Sequence, residues 1–146
     1  MTTWKEFATQ SPQLAEFGKA RFGLGVAYLG TIRPDGSPRI HPVTPIIGDE
    51  LYIFMEPTSP KGKDLQRDAR YTLHSAVENS GGGGGEFYIR GQARLTSDPS
   101  DRKLAIAYAT YEIQDRYILF GLSVTHAFMN QYVNGNPVIQ RWQSAH

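Results

Sequence analysis

Apolar and polar residues alternate through EFYIRGQARL, residues 86–95. Phe87, Ile89, Gly91, Ala93 and Leu95 fall on one face, and Glu86, Tyr88, Arg90, Gln92 and Arg94 on the other. That period of two is the mark of a strand with one face in a core. Similar runs predict strands over 24–32, 38–47, 50–56, 70–78 and 116–124, and a last hairpin turning at Asn134-Gly135. Pro34-Asp35-Gly36 marks the turn between the first two. Residues 3–20 read as helical in two pieces: Trp4, Phe7 and Ala8 share a face, and Ser11-Pro12 restarts a helix carrying Leu14 and Phe17. A second helix is expected from Ser59 to about Ala69. A third is capped by Asp98-Pro99 with Asp101 in its first turn, and an apolar stripe of Leu104, Ala107, Tyr108 and Tyr111. The five glycines from Gly81 to Gly85 read as a flexible hairpin tip. They do not read as a phosphate loop, because no Lys-Ser/Thr follows and no helix opens there. The sum is a single domain, mainly β with added helices (α+β). It is a small barrel of six to seven mostly antiparallel strands with peripheral helices.

Composition narrows the function classes. The 146 residues are 40% hydrophobic and 20% charged, with a formal net charge of +1. That near-neutral balance argues against nucleic acid and anionic membrane as partners. The chain has no cysteine, which excludes disulfides, thiolate metal sites and a cysteine nucleophile, and fits a cytoplasmic protein. No apolar run approaches the roughly 20 residues of a membrane span, and MTTWKEFATQSPQL is not expected to be a signal peptide. His41, His74, His126 and His146 lack metal-ligand spacing, and neither GxSxG nor HExxH occurs.

Two stretches carry chemistry. In EPTSPKGKDL, Ser59-Pro60 is a good helix start, yet Lys61 and Lys63 follow in a first turn whose dipole repels cations. An anion bound there would resolve the conflict. Backbone N–H groups, the Ser59 hydroxyl and the two ammonium groups form a phosphate site, and Gly62 would let the ligand approach. A solvated lysine pair is the competing reading. In SPRIHPVTP, Pro38, Pro42 and Pro45 each remove a backbone donor, so the run cannot be a central strand. It is an edge or bulged strand with main-chain groups free for a ligand, or an edge protected against aggregation. Arg39 and His41 would share one face of it.

These stretches, in their order, resemble a known family. YLGTIRPDGSPRIHPVTPII, LYIFMEPTSPKGKDLQRDARYTLHSA and EFYIRGQARL are similar to the pyridoxamine 5′-phosphate oxidase-like proteins, the flavin-binding split β-barrels. The likeness covers residues 14–124. It rests on the TxRPDGxPxxxP hairpin, the S-x-K-x-x-x-L helix and the later strand ending in xGxA. It implies a homodimer with FMN, or the deazaflavin F420, at the subunit interface, acting as an oxidoreductase on a small-molecule substrate. It also implies that Arg39, Ile40, His41, Pro42, Val43 and Thr44 lie along the flavin ring and that Phe54 and Met55 border it. Ser59 and Lys61 would then hold the phosphate, with Lys63 as helper. Where the family often has two adjacent basic residues, this chain has Pro60-Lys61. The family's C-terminal substrate segment is not recognisable in NGNPVIQRWQSAH, where Trp142 reads as a core residue. No catalytic acid or base stands out, although His41 and Tyr88 are candidates. The alternatives are an F420-dependent reductase of the same fold and a non-catalytic flavin or haem binder, for which no histidine distinguishes itself as axial ligand. An oligonucleotide-binding barrel is a third, suggested by Tyr88, Arg90 and Arg94 on one strand face.

Overall fold

A computed structural model describes residues 1–145; His146 lies outside the described residues. Helices α1 (Trp4–Gln10) and α2 (Pro12–Phe22) break at Ser11, where the Ser-Pro pair predicts a restart. The strands are β1 (Ala27–Ile32), β2 (Pro38–Val43), β3 (Ile46–Ile47), β4 (Leu51–Met55), β5 (Arg70–Ser75), β6 (Glu86–Thr96), β7 (Ile118–Leu122), β8 (His126–Val133) and β9 (Asn136–Gln143). Helix α3 (Pro60–Arg67) follows β4, and α4 (Pro99–Tyr108) follows β6. All the strand pairings are antiparallel.

The strand order is β2-β1-β5-β6-β7-β4-β3, and β8 pairs with β6 and carries β9. The two strands at the ends of this path, β2 and β3, are joined by Thr44-Pro45 alone. The sheet therefore curls on itself and leaves a seam where its ends meet. The run predicted as one strand over 38–47 is thus two strands. Pro42 and Pro45 remove the donors that continuous pairing would need, and β2 pairs on one edge only, with β1.

Inside, α1 and α2 lay an aromatic cluster on β6. Trp4, Phe7, Phe22 and Phe87 meet edge-on or tilted, with centroids 5.2 to 6.3 Å apart. Trp142 joins from β9, 4.8 Å from Phe7, so it packs on α1. The alternation of β6 holds for Phe87, Ile89 and Ala93, all buried, but Leu95 is 50% exposed one residue from the strand end. A larger departure concerns α4. Its expected stripe faces outward: Leu104 and Tyr108 are about half exposed, and Ala105 is the residue that the helix buries. Polar partners set that orientation. Arg102 donates to the carbonyls of Tyr117 and Gln114 and covers the Phe54 ring at 5.2 Å. Asp101 accepts from Thr96, Arg94 and Tyr52. The loop at Gly81 to Gly85 is the β5–β6 turn, with left-handed φ at Gly82, Gly84 and Gly85 and the Asn79 carboxamide oxygen accepting from the N–H groups of Gly81 and Gly83.

Gly91 has a structural duty. One edge of β6 pairs first with β8 and then with β7, and the chain between them, Ser123–Thr125, crosses over Gly91. A Cβ on Gly91 would stand 2.0 Å from the Ser123 carbonyl oxygen. Gly91→Ala should therefore destabilise the protein by about 2 kcal/mol or more, the cost of forcing an extra carbon into packed backbone. The check is urea unfolding of the variant beside the parent; an unchanged midpoint would contradict the close approach.

Candidate functional site

The seam between β2 and β4 opens into a cleft of about 240 Å³, lined by Pro42, Val43, Thr44, Phe54, Met55, Glu56, Lys61, Tyr111 and Tyr117. Six of the residues expected to hold a cofactor meet there. β2 and the Thr44 corner supply one wall, the end of β4 the floor, and the start of α3 the charge.

That charge is held in an unusual way. Ser59 is the N-cap of α3 and buried, but its side chain caps no backbone N–H. Its hydroxyl accepts a hydrogen bond from Lys61 Nζ at 2.9 Å. Lys61 is partly buried, has no carboxylate partner among the described residues, and desolvation lowers its pKa. The first turn contains no acidic residue. A cation thus sits beside the positive end of a helix dipole with only a hydroxyl for company. Glu56, at the cleft mouth, does not neutralise it, because its carboxylate is taken by Arg116 at 2.8 and 3.1 Å. That hydrogen bond holds the Glu56 carboxyl below the usual range.

The other expected residues lie elsewhere. Lys63 is exposed and outside the cleft. Ile40 is 70% exposed and outside the cleft. His41 is exposed, with no hydrogen-bond partner among the described residues. Arg39 points back to α3, where its Nε donates to Asp64 at 2.7 Å. Gly62 does not admit a ligand. A Cβ there would stand 2.9 Å from Met55 Sδ, so the glycine lets α3 lie on β4.

Asp64 is 1% exposed and accepts from Thr31 Oγ1 at 2.8 Å, Arg39 Nε at 2.7 Å and Arg67 at 3.2 Å. It ties α3 to β1 and β2 and so fixes where Lys61 stands. Tyr111 and Tyr117, from the segment after α4, also line the cleft and were not foreseen as site residues. The sequence pattern put Tyr111 on the stripe of the expected helix and Tyr117 in the strand expected over 116–124, but α4 ends at Tyr108 and β7 starts at Ile118. Burial, and then the neighbouring Tyr117, raise the pKa of Tyr111, keeping its hydroxyl a hydrogen-bond donor.

Scanned against protein-family models and curated proteins, the sequence matches none. Solved structures do match. A NimC/NimA family protein from Clostridium acetobutylicum superposes with a TM-score of 0.68 at 16% identity, over 88% of this chain and 92% of that one. A protein related to general stress protein 26, of the pyridoxinephosphate oxidase family and also from Clostridium acetobutylicum, gives 0.61 at 13% identity over 94% and 95%. The fold is a split β-barrel. A heme binding protein from Mycobacterium smegmatis shares this split barrel with a TM-score of 0.66 at 15% identity, over 87% of this chain; the chain spans 57% of that protein's length. No helix among the described residues is long and apolar enough to cross a membrane.

The Asp64 cluster gives the split barrel a pH signature. Burial alone would raise this carboxyl's pKa, but hydrogen bonds from Arg39, Thr31 and Arg67 outweigh it and leave the group below the usual range. A carboxyl depressed on folding contributes stability that is complete above the unfolded pKa of about 4 and is lost as pH falls through the folded value. Asp64→Asn should cost about 3 kcal/mol at pH 7, the low end for breaking a buried pair because the Arg39 side chain is 24% exposed. The gap between variant and parent in urea unfolding should narrow as pH drops below about 4. A gap that stayed constant from pH 7 to pH 3 would show that the carboxylate's charge is not what holds α3.

Proposed function

We propose that the protein is a flavin-dependent oxidoreductase that binds FMN, or the deazaflavin F420, in the seam cleft of a homodimer. The observation that carries this reading is Lys61, a partly buried cation without a counter-ion among the described residues, at the start of a helix that also prefers an anion. A cofactor phosphate supplies the missing charge. Lys61 and Ser59 hold that phosphate, and Val43, Thr44, Phe54 and Met55 give the ring an apolar, partly main-chain wall. Tyr111 and Tyr117 offer aromatic faces and hydroxyl donors at the open side. The cofactor, once bound, supplies hydride transfer; the protein binds, orients and keeps water away.

The cleft is smaller than the roughly 300–1,000 Å³ of typical ligand pockets. One chain therefore supplies part of a pocket that a second copy completes. FMN and F420 share the phosphate that Lys61 addresses, and the residues at hand do not separate them. The protein acts in the cytoplasm on a small-molecule substrate.

Haem binding is the second reading, favoured by the likeness to a heme binding protein and by the exposed imidazole of His41 on β2, which has no hydrogen-bond partner among the described residues. The visible spectrum of the purified protein distinguishes the readings. A flavin or deazaflavin gives its own near-ultraviolet and blue bands, whereas haem gives a Soret band, which His41→Ala should diminish if that imidazole ligates iron.

Lys61→Ala removes a charge-assisted hydrogen bond to phosphate, worth roughly 1.5–3 kcal/mol, and should weaken FMN or F420 binding about 10- to 150-fold. Riboflavin, which lacks the phosphate, should bind nearly as before, and Lys63→Ala should change little because that side chain is exposed outside the cleft. Fluorescence titration with each ligand decides it. Equal FMN affinity in the parent and Lys61→Ala would remove the phosphate site. Light scattering with cofactor present tests the second copy: a monomer at micromolar concentration would leave the pocket half built.

A further inference from the structure

The segment from Ala109 to Tyr117 joins α4 to β7 without regular structure, yet it brings Tyr111 and Tyr117 to the seam cleft. Its own backbone does little to hold that course. Among the described residues it makes two hydrogen bonds to other backbone groups, from Ala109 N–H to the Ile106 carbonyl and from Tyr117 N–H to the Gln114 carbonyl. One side chain supplies the rest. Arg102, near the start of α4, donates from Nη1 to the Tyr117 carbonyl at 2.7 Å and from Nη2 to the carbonyls of Gln114 and Asp115 at 3.1 and 3.2 Å. The planar fork of a guanidinium serves several acceptors in a fixed geometry, which an ammonium does not. The Arg116–Glu56 pair is a second tether, but it is largely exposed and so contributes little.

The same guanidinium touches the floor of the cleft. Its carbon lies 5.2 Å from the centroid of the Phe54 ring, and Phe54 lines the cleft. Arg102 itself does not line it. It reaches the site from behind, holding one wall by its main chain and the floor by its ring. Ile113 and Tyr117 already pack on the smaller core cluster of Ile46, Tyr52, Phe54, Ala105 and Leu119. Apolar burial therefore keeps the segment on the barrel. What the guanidinium adds is direction: with the carbonyls of Gln114, Asp115 and Tyr117 fixed on Arg102, the Tyr117 side chain has one course into the cleft. A partly buried cation with no carboxylate partner among the described residues is an expensive way to hold a surface loop unless that direction matters.

We propose that Arg102 is a positioning residue of the seam cleft, setting the Phe54 floor and the Tyr117 wall for the cofactor ring before the cofactor arrives; this rests on the flavin reading. Walls set in advance matter because each side chain that must be ordered at the moment of binding lowers affinity. Lys61 addresses the phosphate, whereas Arg102 acts on the ring through Phe54 and Tyr117. The loss of each therefore has its own signature.

The test is fluorescence titration of the whole protein with FMN, F420 and riboflavin, under conditions where circular dichroism shows each variant folded. Arg102→Gln should weaken binding about three- to tenfold, the cost of ordering one or two side chains on binding. The factor should be the same for FMN and riboflavin, because the ring is common to both; Lys61→Ala changes that ratio and Arg102→Gln does not. A tyrosine ring in contact with a flavin quenches its fluorescence by electron transfer, so the bound flavin should also be brighter in Arg102→Gln than in the parent. Tyr117→Leu should reproduce both effects. The double variant should lose less than the two single losses combined, since Arg102 acts through Tyr117. A role confined to stability would lower the urea midpoint and leave the affinity and brightness of the folded protein where they were. Should Arg102→Gln not fold, Arg102→Lys keeps the charge and the stem but not the fork, and should shift the same readouts in the same direction. The proposal falls if the folded variant binds and quenches its flavin as the parent does, or if it loses FMN affinity and spares riboflavin. A parent that binds none of the three ligands removes the flavin reading and this proposal with it; a parent that binds FMN or F420, with the Arg102 variants unchanged, removes this proposal alone.

Discussion

The carboxylate of Asp64 is the point on which the seam depends. It comes from the second turn of α3 and is almost wholly buried, yet it reaches Thr31 on β1 and Arg39 on β2. A buried charge is tolerable only when paired and hydrogen-bonded, so these contacts are obligatory once the helix packs. They determine the angle and height at which α3 meets the barrel. Gly62 does the complementary work on the other side, letting the helix settle against Met55 without a side chain between them. Between these two constraints the N-terminus of α3 has one place to be, and Lys61 is brought to the cleft with it.

The seam exists because β2 is a poor partner for anything but β1. Its prolines remove donors from the strand, and the corner at Thr44-Pro45 ends it before the sheet can close. A fully paired barrel would have placed backbone hydrogen bonds where the cleft now lies. The unbalanced cation belongs to the same design. Lys61 would be stabler on almost any other turn of the helix, because here it meets both desolvation and the dipole. Residues that violate local preference in this way, without a compensating partner in the chain itself, are where an external partner is expected.

Much of this was legible in the sequence. Pro34-Asp35-Gly36, Ser59-Pro60, Asp98-Pro99 and Asn134-Gly135 each punctuate the chain where the structure does, because turn and cap chemistry is local. The proline count of β2 announced an edge strand for the same reason, and the lysines against the dipole drew attention to the helix start, where Lys61 stands partly buried beside Ser59. What failed was what depends on distant partners. Arg39 shares a face with His41, as the strand period requires, but its partner is Asp64, 25 residues on, and no local pattern marks that pairing. The apolar stripe of α4 predicted the wrong buried face because Asp101 and Arg102 had stronger claims on the barrel than Leu104 and Tyr108. Gly62 was correctly seen as needing room, but the room is for Met55 Sδ. Tyr111 and Tyr117 reach the cleft through a segment without regular structure, whose course cannot be read from periodicity.

β2 also borders two surfaces of the molecule. The strand borders both at different places along its length: Pro42 and Val43 line the seam cleft, and Pro38, Arg39 and Ile40 line a groove on the outer face of the sheet. Its period of two sends Arg39 and His41 to one side and Ile40 and Pro42 to the other. A one-residue slip of β2 against β1 would exchange the two sets, placing Ile40 where Arg39 meets Asp64 and leaving that carboxylate buried without its strongest partner. The register of the hairpin is therefore held by the Arg39–Asp64 ion pair together with Val43, which packs against the core from the same face. In a barrel left open along this strand, that polar contact adds to the little hydrophobic burial the strand has, at Val43.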